Sequence, residues 1–196
     1  MSRVEAGLHR ITDDLRHLQR HWVLVGGLAV SARTEPRFTR DADLAVAVTD
    51  DRDAEMLVLA LQQRGYRVIA AVEQEATRRL ATVRLIPPGE AEDGVVLDLL
   101  LASSGIEAEV VAAAEPLEIL PGLRVPVAQI GHLIALKILS RDDRARPQDR
   151  VDLAALLARA DSSALELARE GLAAIVARSY ARGRDLLADL DVLLAN

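Results

Sequence analysis

Cysteine is absent from the 196 residues, which excludes a disulfide framework, thiolate zinc sites and cysteine nucleophiles. Aromatic side chains are nearly absent: Trp22, Phe38, Tyr66 and Tyr180 are the full set, too few for a platform that stacks unpaired bases. Long apolar runs are missing as well. The longest, from Val95 to Ala102, is interrupted by Asp98 and falls far short of a membrane span. The opening MSRVEAGLHRITDDL has no apolar signal core, so the expectation is a cytoplasmic protein with no membrane contact. Lysine is the last scarcity, because every one of the 24 cations except Lys137 is arginine. Against 30 acids these leave a net charge of -6, which argues against a globally basic nucleic-acid binder and leaves room for a local patch. What is plentiful is apolar surface: a hydrophobic share of 51% supports a packed core and excludes a disordered chain.

Val4, Leu8, Ile11, Leu15 and Leu18 recur at helical spacing and predict an amphipathic opening helix. Trp22 to Val25 reads as a short strand stopped by Gly26-Gly27, with a helix beginning near Leu28. Asp43 to Val48 reads as a buried strand, the following helix ends at Gly65, and Tyr66 to Val72 forms a third strand. In the segment from Arg79 to Ile86, Thr82 and Arg84 share one face and Ala81, Val83 and Leu85 the other. Val95 to Leu101 is a further buried strand, residues 105–114 a helix, and Pro116 to Pro126 an irregular or strand-like connector. From Ala128 the pattern is helical, with breaks expected near Pro147, Asp161, Gly171 and Gly183. The fold expected is α/β (α+β): a mixed sheet flanked by helices over residues 1–125, then a helical bundle over residues 126–196.

Acids stand where an apolar core is being built. In Thr39-Arg40-Asp41-Ala42-Asp43-Leu44, Asp41 and Asp43 lie two apart on a strand and point to one face. Two carboxylates so placed repel each other and raise each other's pKa unless a cation intervenes, and Mg²⁺ is the natural hard ion for oxygen ligands. Asp98 interrupts a continuous apolar strand and needs a partner, either a metal shared with Asp41 and Asp43 or an arginine. Gly26-Gly27 between a strand and a helix lets backbone N–H groups approach a phosphate, though such a pair also makes an ordinary tight turn.

Lys137 lies on the inner stripe of its helix with Ile130, Leu133 and Ile134. A chain that otherwise uses arginine keeps a compact ammonium here, which suits contact with phosphate oxygens, although a lysine could also snorkel to an edge. In Arg146-Pro147-Gln148-Asp149-Arg150-Val151-Asp152-Leu153, Pro147 suits the first position of a helix. Asp149 has a ready explanation as a first-turn acid favoured by the helix dipole. Asp152 sits beside an apolar stripe, where it would pair with Lys137 or hold a water or hydroxyl. Arg33, Arg37, Arg40, Arg141, Arg144, Arg146 and Arg150 are candidates for phosphate-backbone contact or for ordinary surface ion pairs. Thr39, two residues before Asp41, is expected either to put its hydroxyl at a phosphate-binding site, where a phosphate added to it would block activity by its charge, or to make a local turn hydrogen bond.

Gly26-Gly27, Thr39-Arg40-Asp41-Ala42-Asp43-Leu44, Asp98, Lys137 and the segment from Arg146 to Leu153 together resemble the minimal nucleotidyltransferases of the AbiEii type, toxins of bacterial toxin–antitoxin pairs, and among them the mycobacterial MenT toxins. The resembling span runs from about Trp22 to about Leu157. The resemblance implies a nucleotidyltransferase sheet with a C-terminal bundle closing the cleft. It implies Mg²⁺-dependent transfer of nucleotides, pyrimidines (CTP or UTP) favoured, from a nucleoside triphosphate to the 3′ end of tRNA, with pyrophosphate released. It further implies a cognate antitoxin, metal on Asp41 and Asp43, and Lys137 and Asp152 as active-site positions, with Gly26, Gly27, Thr39, Arg40 and Lys137 about the nucleotide. Broader nucleotidyltransferases usually carry serine after the glycines, where this chain has Leu28. Two other functions fit the same residues: transfer to a small molecule such as an antibiotic, and a non-catalytic nucleotide-binding protein that kept the fold.

Overall fold

A computed structural model describes residues 3–36, 39, 41–91, 94–142 and 147–195. Seven strands form one mixed sheet in the order β3-β4-β5-β2-β1-β7-β6. Their ranges are β1 Trp22–Val25, β2 Asp41–Val46, β3 Arg67–Glu73, β4 Leu80–Ile86, β5 Val96–Leu100, β6 Glu115–Leu120 and β7 Leu123–Val127. β2 runs parallel to β5 and β1 parallel to β7, while the other neighbours are antiparallel. The segment around Pro121-Gly122, expected to be irregular or strand-like, is a hairpin, with Gly122 at φ 78° in its turn.

Helix α1 (Arg3–His17) precedes β1, α2 (Gly26–Arg33) links β1 to β2, α3 (Asp51–Gln63) links β2 to β3 and α4 (Glu107–Ala112) links β5 to β6. Leu8, Ile11 and Leu15 bury the inner stripe of α1, as the spacing predicts. The Asp50 side chain accepts from the backbone N–H of Asp53 and caps α3. On β4, Ala81, Val83 and Leu85 are buried while Thr82 and Arg84 face the other way.

Four more helices follow β7: α5 (Ile130–Ser140), α6 (Gln148–Leu157), α7 (Ser162–Ala177) and α8 (Leu186–Leu194). One cluster of buried apolar residues runs from Leu8 of α1 through the strands to Leu190 of α8. Gly171 does not break the chain where a break was expected, but lies within α7. A Cβ there would come to 3.3 Å from the Ala135 Cβ of α5. Gly131 of α5 meets α7 more closely still, since a Cβ would overlap the Ala164 carbonyl oxygen and lie 2.8 Å from the Leu167 Cβ. These two glycines set how closely α5 approaches α7.

Gly131→Ala is expected to lower stability by about 2 kcal/mol, because backbone overlap outweighs the helix propensity gained. Thermal melting checks this, and a melting temperature equal to or above that of the parent chain would contradict the packing argument.

Candidate active site

The site begins where β1 passes directly into α2. Gly26 has φ 63°, and a Cβ there would collide with the carboxylate of Asp43. Glycine is thus required twice over, for the left-handed backbone and for the space that Asp43 fills. The backbone N–H of Gly27 donates to Asp43, so the glycine pair grips an acid of its own chain at the start of α2.

Asp43 stands in a row that crosses the sheet. In register it faces Val25 on β1 and Asp98 on β5, and Asp98 in turn faces Arg84 on β4. Directly opposed residues on neighbouring strands are about 5 Å apart, so the two carboxylates feel each other strongly. Burial, and then Asp98, push the Asp43 pKa up from 3.8 to about 6; Asp41 adds to the rise, while Lys137 and the Gly27 N–H oppose it. Asp41 is exposed at the head of β2. Asp98 is buried and gives both its oxygens to Arg84, at 2.8 Å to Nε and 2.7 Å to Nη2. Among the described residues no three acid, histidine or cysteine side chains converge on a metal position. Asp41, Asp43 and Asp98 are therefore neighbours on one face without forming a three-carboxylate group, because Arg84 occupies the oxygens of Asp98.

Across the cleft, α5 presents Lys137. Its ammonium sits 2.6 Å from Asp149 Oδ1 and 2.7 Å from Asp152 Oδ2, both on α6. Asp152 is 1% exposed and Asp149 5% exposed, so burial and ion pairing come together. The second oxygen of Asp149, Oδ2, is buried and has no hydrogen-bond partner among the described residues. Gly26, Asp43, Arg84, Asp98, Lys137 and Asp149 border one cleft of ≈ 510 Å³, a size that suits a nucleotide. Ser103 and Ser104 line it too. The backbone N–H groups and the hydroxyls of both serines donate to Oε1 of buried Glu107, at 2.7–2.9 Å.

The sequence profile of the nucleotidyl transferase AbiEii toxins, of Type IV toxin–antitoxin systems, matches residues 12–195. The chain belongs to the AbiEii family. Solved nucleotidyltransferases share its fold. The antibiotic-resistance factor ANT(2'')-Ia superposes with a TM-score of 0.55 at 19% identity, covering 90% of this chain and 92% of that one. An antigenic nucleotidyltransferase-like protein from Paracoccidioides brasiliensis gives 0.52 at 18%, covering 89% of each chain. The lincosamide antibiotic adenylyltransferase LnuA gives 0.51 at 15%, covering 80% of this chain and 98% of its own. No curated protein sequence matches the chain significantly.

Within this AbiEii-family cleft the residues predicted from sequence fall into four groups. Gly26, Gly27, Asp43, Asp98, Lys137 and Asp152 are brought together, with Asp41 at the edge. Thr39 has a buried hydroxyl with no hydrogen-bond partner among the described residues. Arg40, Arg37, Arg144 and Arg146 lie outside the described residues. Arg33, a candidate for phosphate backbone, is bound instead to the carbonyls of Ala128 and Val127 and to Glu115, where it ties α2 to the end of β7. Arg84, Ser103, Ser104 and Glu107 were not anticipated. The four-residue pattern Ser104-x-x-Glu107 ahead of α4 is the sequence mark of a capping box and would have pointed to the last three. No helix among the described residues is long and apolar enough to cross a membrane.

Because Asp43 holds its proton more tightly in the folded chain than in the unfolded one, it lowers stability as pH rises from about 4 through about 6. In chelator, Asp43→Asn is expected to stabilise the protein at neutral pH by about 2 kcal/mol and to flatten that part of the profile. Melting curves across this range check it; a variant with the parent's pH profile would contradict the burial of this charge.

Proposed function

We propose that the protein is a toxin that transfers nucleotides, pyrimidines favoured, from a nucleoside triphosphate to the 3′ end of tRNA, blocking aminoacylation in the cytoplasm, and that a cognate antitoxin restrains it. The observation that carries this reading is a half-buried carboxylate, Asp43, gripped by Gly26-Gly27 and opposed across one cleft by the chain's only ammonium side chain. Membership of a nucleotidyl transferase toxin family supports the reaction class.

Asp41 and Asp43 fit a hard divalent ion such as Mg²⁺, since burial and neighbouring acids leave Asp43 short of positive charge. Bound there, Mg²⁺ would neutralise triphosphate charge in the developing transition state. The backbone at the start of α2, beside Gly26-Gly27, offers the positive end of a helix to the phosphates. Lys137 has three N–H donors, of which Asp149 and Asp152 take two, leaving the third for a phosphate oxygen. The free oxygen of Asp149 accepts a hydrogen bond from the attacking hydroxyl and orients it. The ribose hydroxyl oxygen of the acceptor attacks the α-phosphorus as the bond from the α-phosphorus to the bridging oxygen of the β-phosphate breaks; pyrophosphate departs and the hydroxyl proton passes to solvent. Positioning and electrostatics supply most of the rate. Asp152, more deeply buried, fixes Lys137 in place.

Purified protein with Mg²⁺, α-labelled nucleoside triphosphates and either total tRNA or an aminoglycoside and a lincosamide tests the proposal. Label from CTP or UTP is expected on the tRNA 3′ end, reduced about 100-fold or more by Asp43→Ala and by Lys137→Ala. Label on the drug and none on RNA would overturn the acceptor, and equal growth arrest by the parent and both variants would overturn catalysis.

A further inference from the structure

Of the three strand carboxylates on this face of the sheet, one is already answered by a cation. Asp98 meets Arg84 through two parallel N–H···O bonds, at 2.8 and 2.7 Å, a geometry that fixes both groups. Arg84 is tied to the acidic row as a whole, since Asp41 and Asp43 also act on its charge after Asp98. Its side chain is 45% exposed and borders the cleft, so the N–H groups not given to Asp98 are available to a ligand there. The three carboxylates and one guanidinium of this face leave a formal charge of two minus, which one divalent ion cancels. A second ion at Asp98 would meet a guanidinium at contact distance and be repelled. Asp149, 5% exposed, borders the same cleft from the other side, and its second oxygen is buried with no hydrogen-bond partner among the described residues.

We propose that the strand side of the cleft takes a single divalent cation, on Asp41 and Asp43, and that Arg84, clamped by Asp98, is a fixed cation in place of a second metal ion, with its remaining N–H groups turned to the triphosphate. The inference rests on the nucleotidyl-transfer reading and adds to it a metal count and a phosphate-contacting residue. It also explains why Asp98 is kept as an acid inside an apolar strand: it aims a guanidinium. Lysine would not serve equally at position 84, since only the planar fork can hold Asp98 with two bonds and still present donors outward.

Full-length protein titrated with Mn²⁺ in the presence of a non-hydrolysable α,β-methylene CTP, followed by electron paramagnetic resonance, tests this without any turnover. The parent chain is expected to bind one Mn²⁺ that Asp43→Asn abolishes. Arg84→Gln, which frees Asp98, is expected to bind two and to weaken the analogue about 10- to 100-fold in its one-ion form. Arg84→Gln combined with Asp98→Asn, which keeps an amide pair in the same space, is expected to return to one. An ion pair that merely staples β4 to β5 would change thermal stability and leave these counts alone. Two Mn²⁺ on the parent chain, or an Arg84→Gln variant of unchanged count and analogue affinity, would overturn the role of Arg84 while the Asp43-dependent site stands. Absence of any Asp43-dependent Mn²⁺ would overturn both this inference and the transfer reading beneath it.

Discussion

A half-buried carboxylate held against a glycine turn is the constraint on which the rest of this molecule depends. Asp43 is packed where a side chain at position 26 would sit, beside a second acid on the adjacent strand, and its pKa is pushed up to about 6 in consequence. Evolution of a stable fold alone would replace such a group, because burying like charges side by side is unfavourable. A cationic ligand that completes it would account for its presence. The surroundings are arranged accordingly: Arg84 relieves Asp98 on one flank, Lys137 opposes Asp43 across the cleft, and Gly27 donates from below.

The helical half contributes the opposing wall and the means of holding it. Lys137 reaches the cleft because α5 lies close against α7 through Gly131 and Gly171. Its ammonium is then fixed by two acids of α6, so that the position of this side chain is not left to solvent. A single apolar core joins this wall to the sheet. Strand carboxylates and helix ammonium are thus parts of one packed body, which is what electrostatic preorganisation requires.

Much of this was legible in the sequence, and the boundary between the legible and the hidden is physical. Asp41-x-Asp43 and the inner-stripe position of Lys137 follow from strand and helix periods, which are local. Pairing of Lys137 with Asp152 was foreseeable because both project from apolar stripes of successive helices. The Asp98–Arg84 pair was not, since it requires knowing that β4 lies next to β5 and in which register. Asp149 reads in the sequence as a first-turn acid, which holds for its position along α6 and misses what α5 brings against it. Gly171 was expected to end a helix, because sequence alone does not distinguish a glycine that breaks a helix from one that lets another helix approach. Arg33 looked free for phosphate and is instead consumed by two backbone carbonyls that the sheet brings to it.

The most direct measurement is a crystal structure of the full chain grown with Mn²⁺ and the non-hydrolysable CTP analogue, with manganese located by its anomalous signal. The account predicts a manganese peak at Asp41 and Asp43 and a triphosphate lying between the Gly26-Gly27 turn and Lys137. Nucleotide bound elsewhere, or manganese remote from Asp43 while the cleft stays free of phosphate, would contradict it.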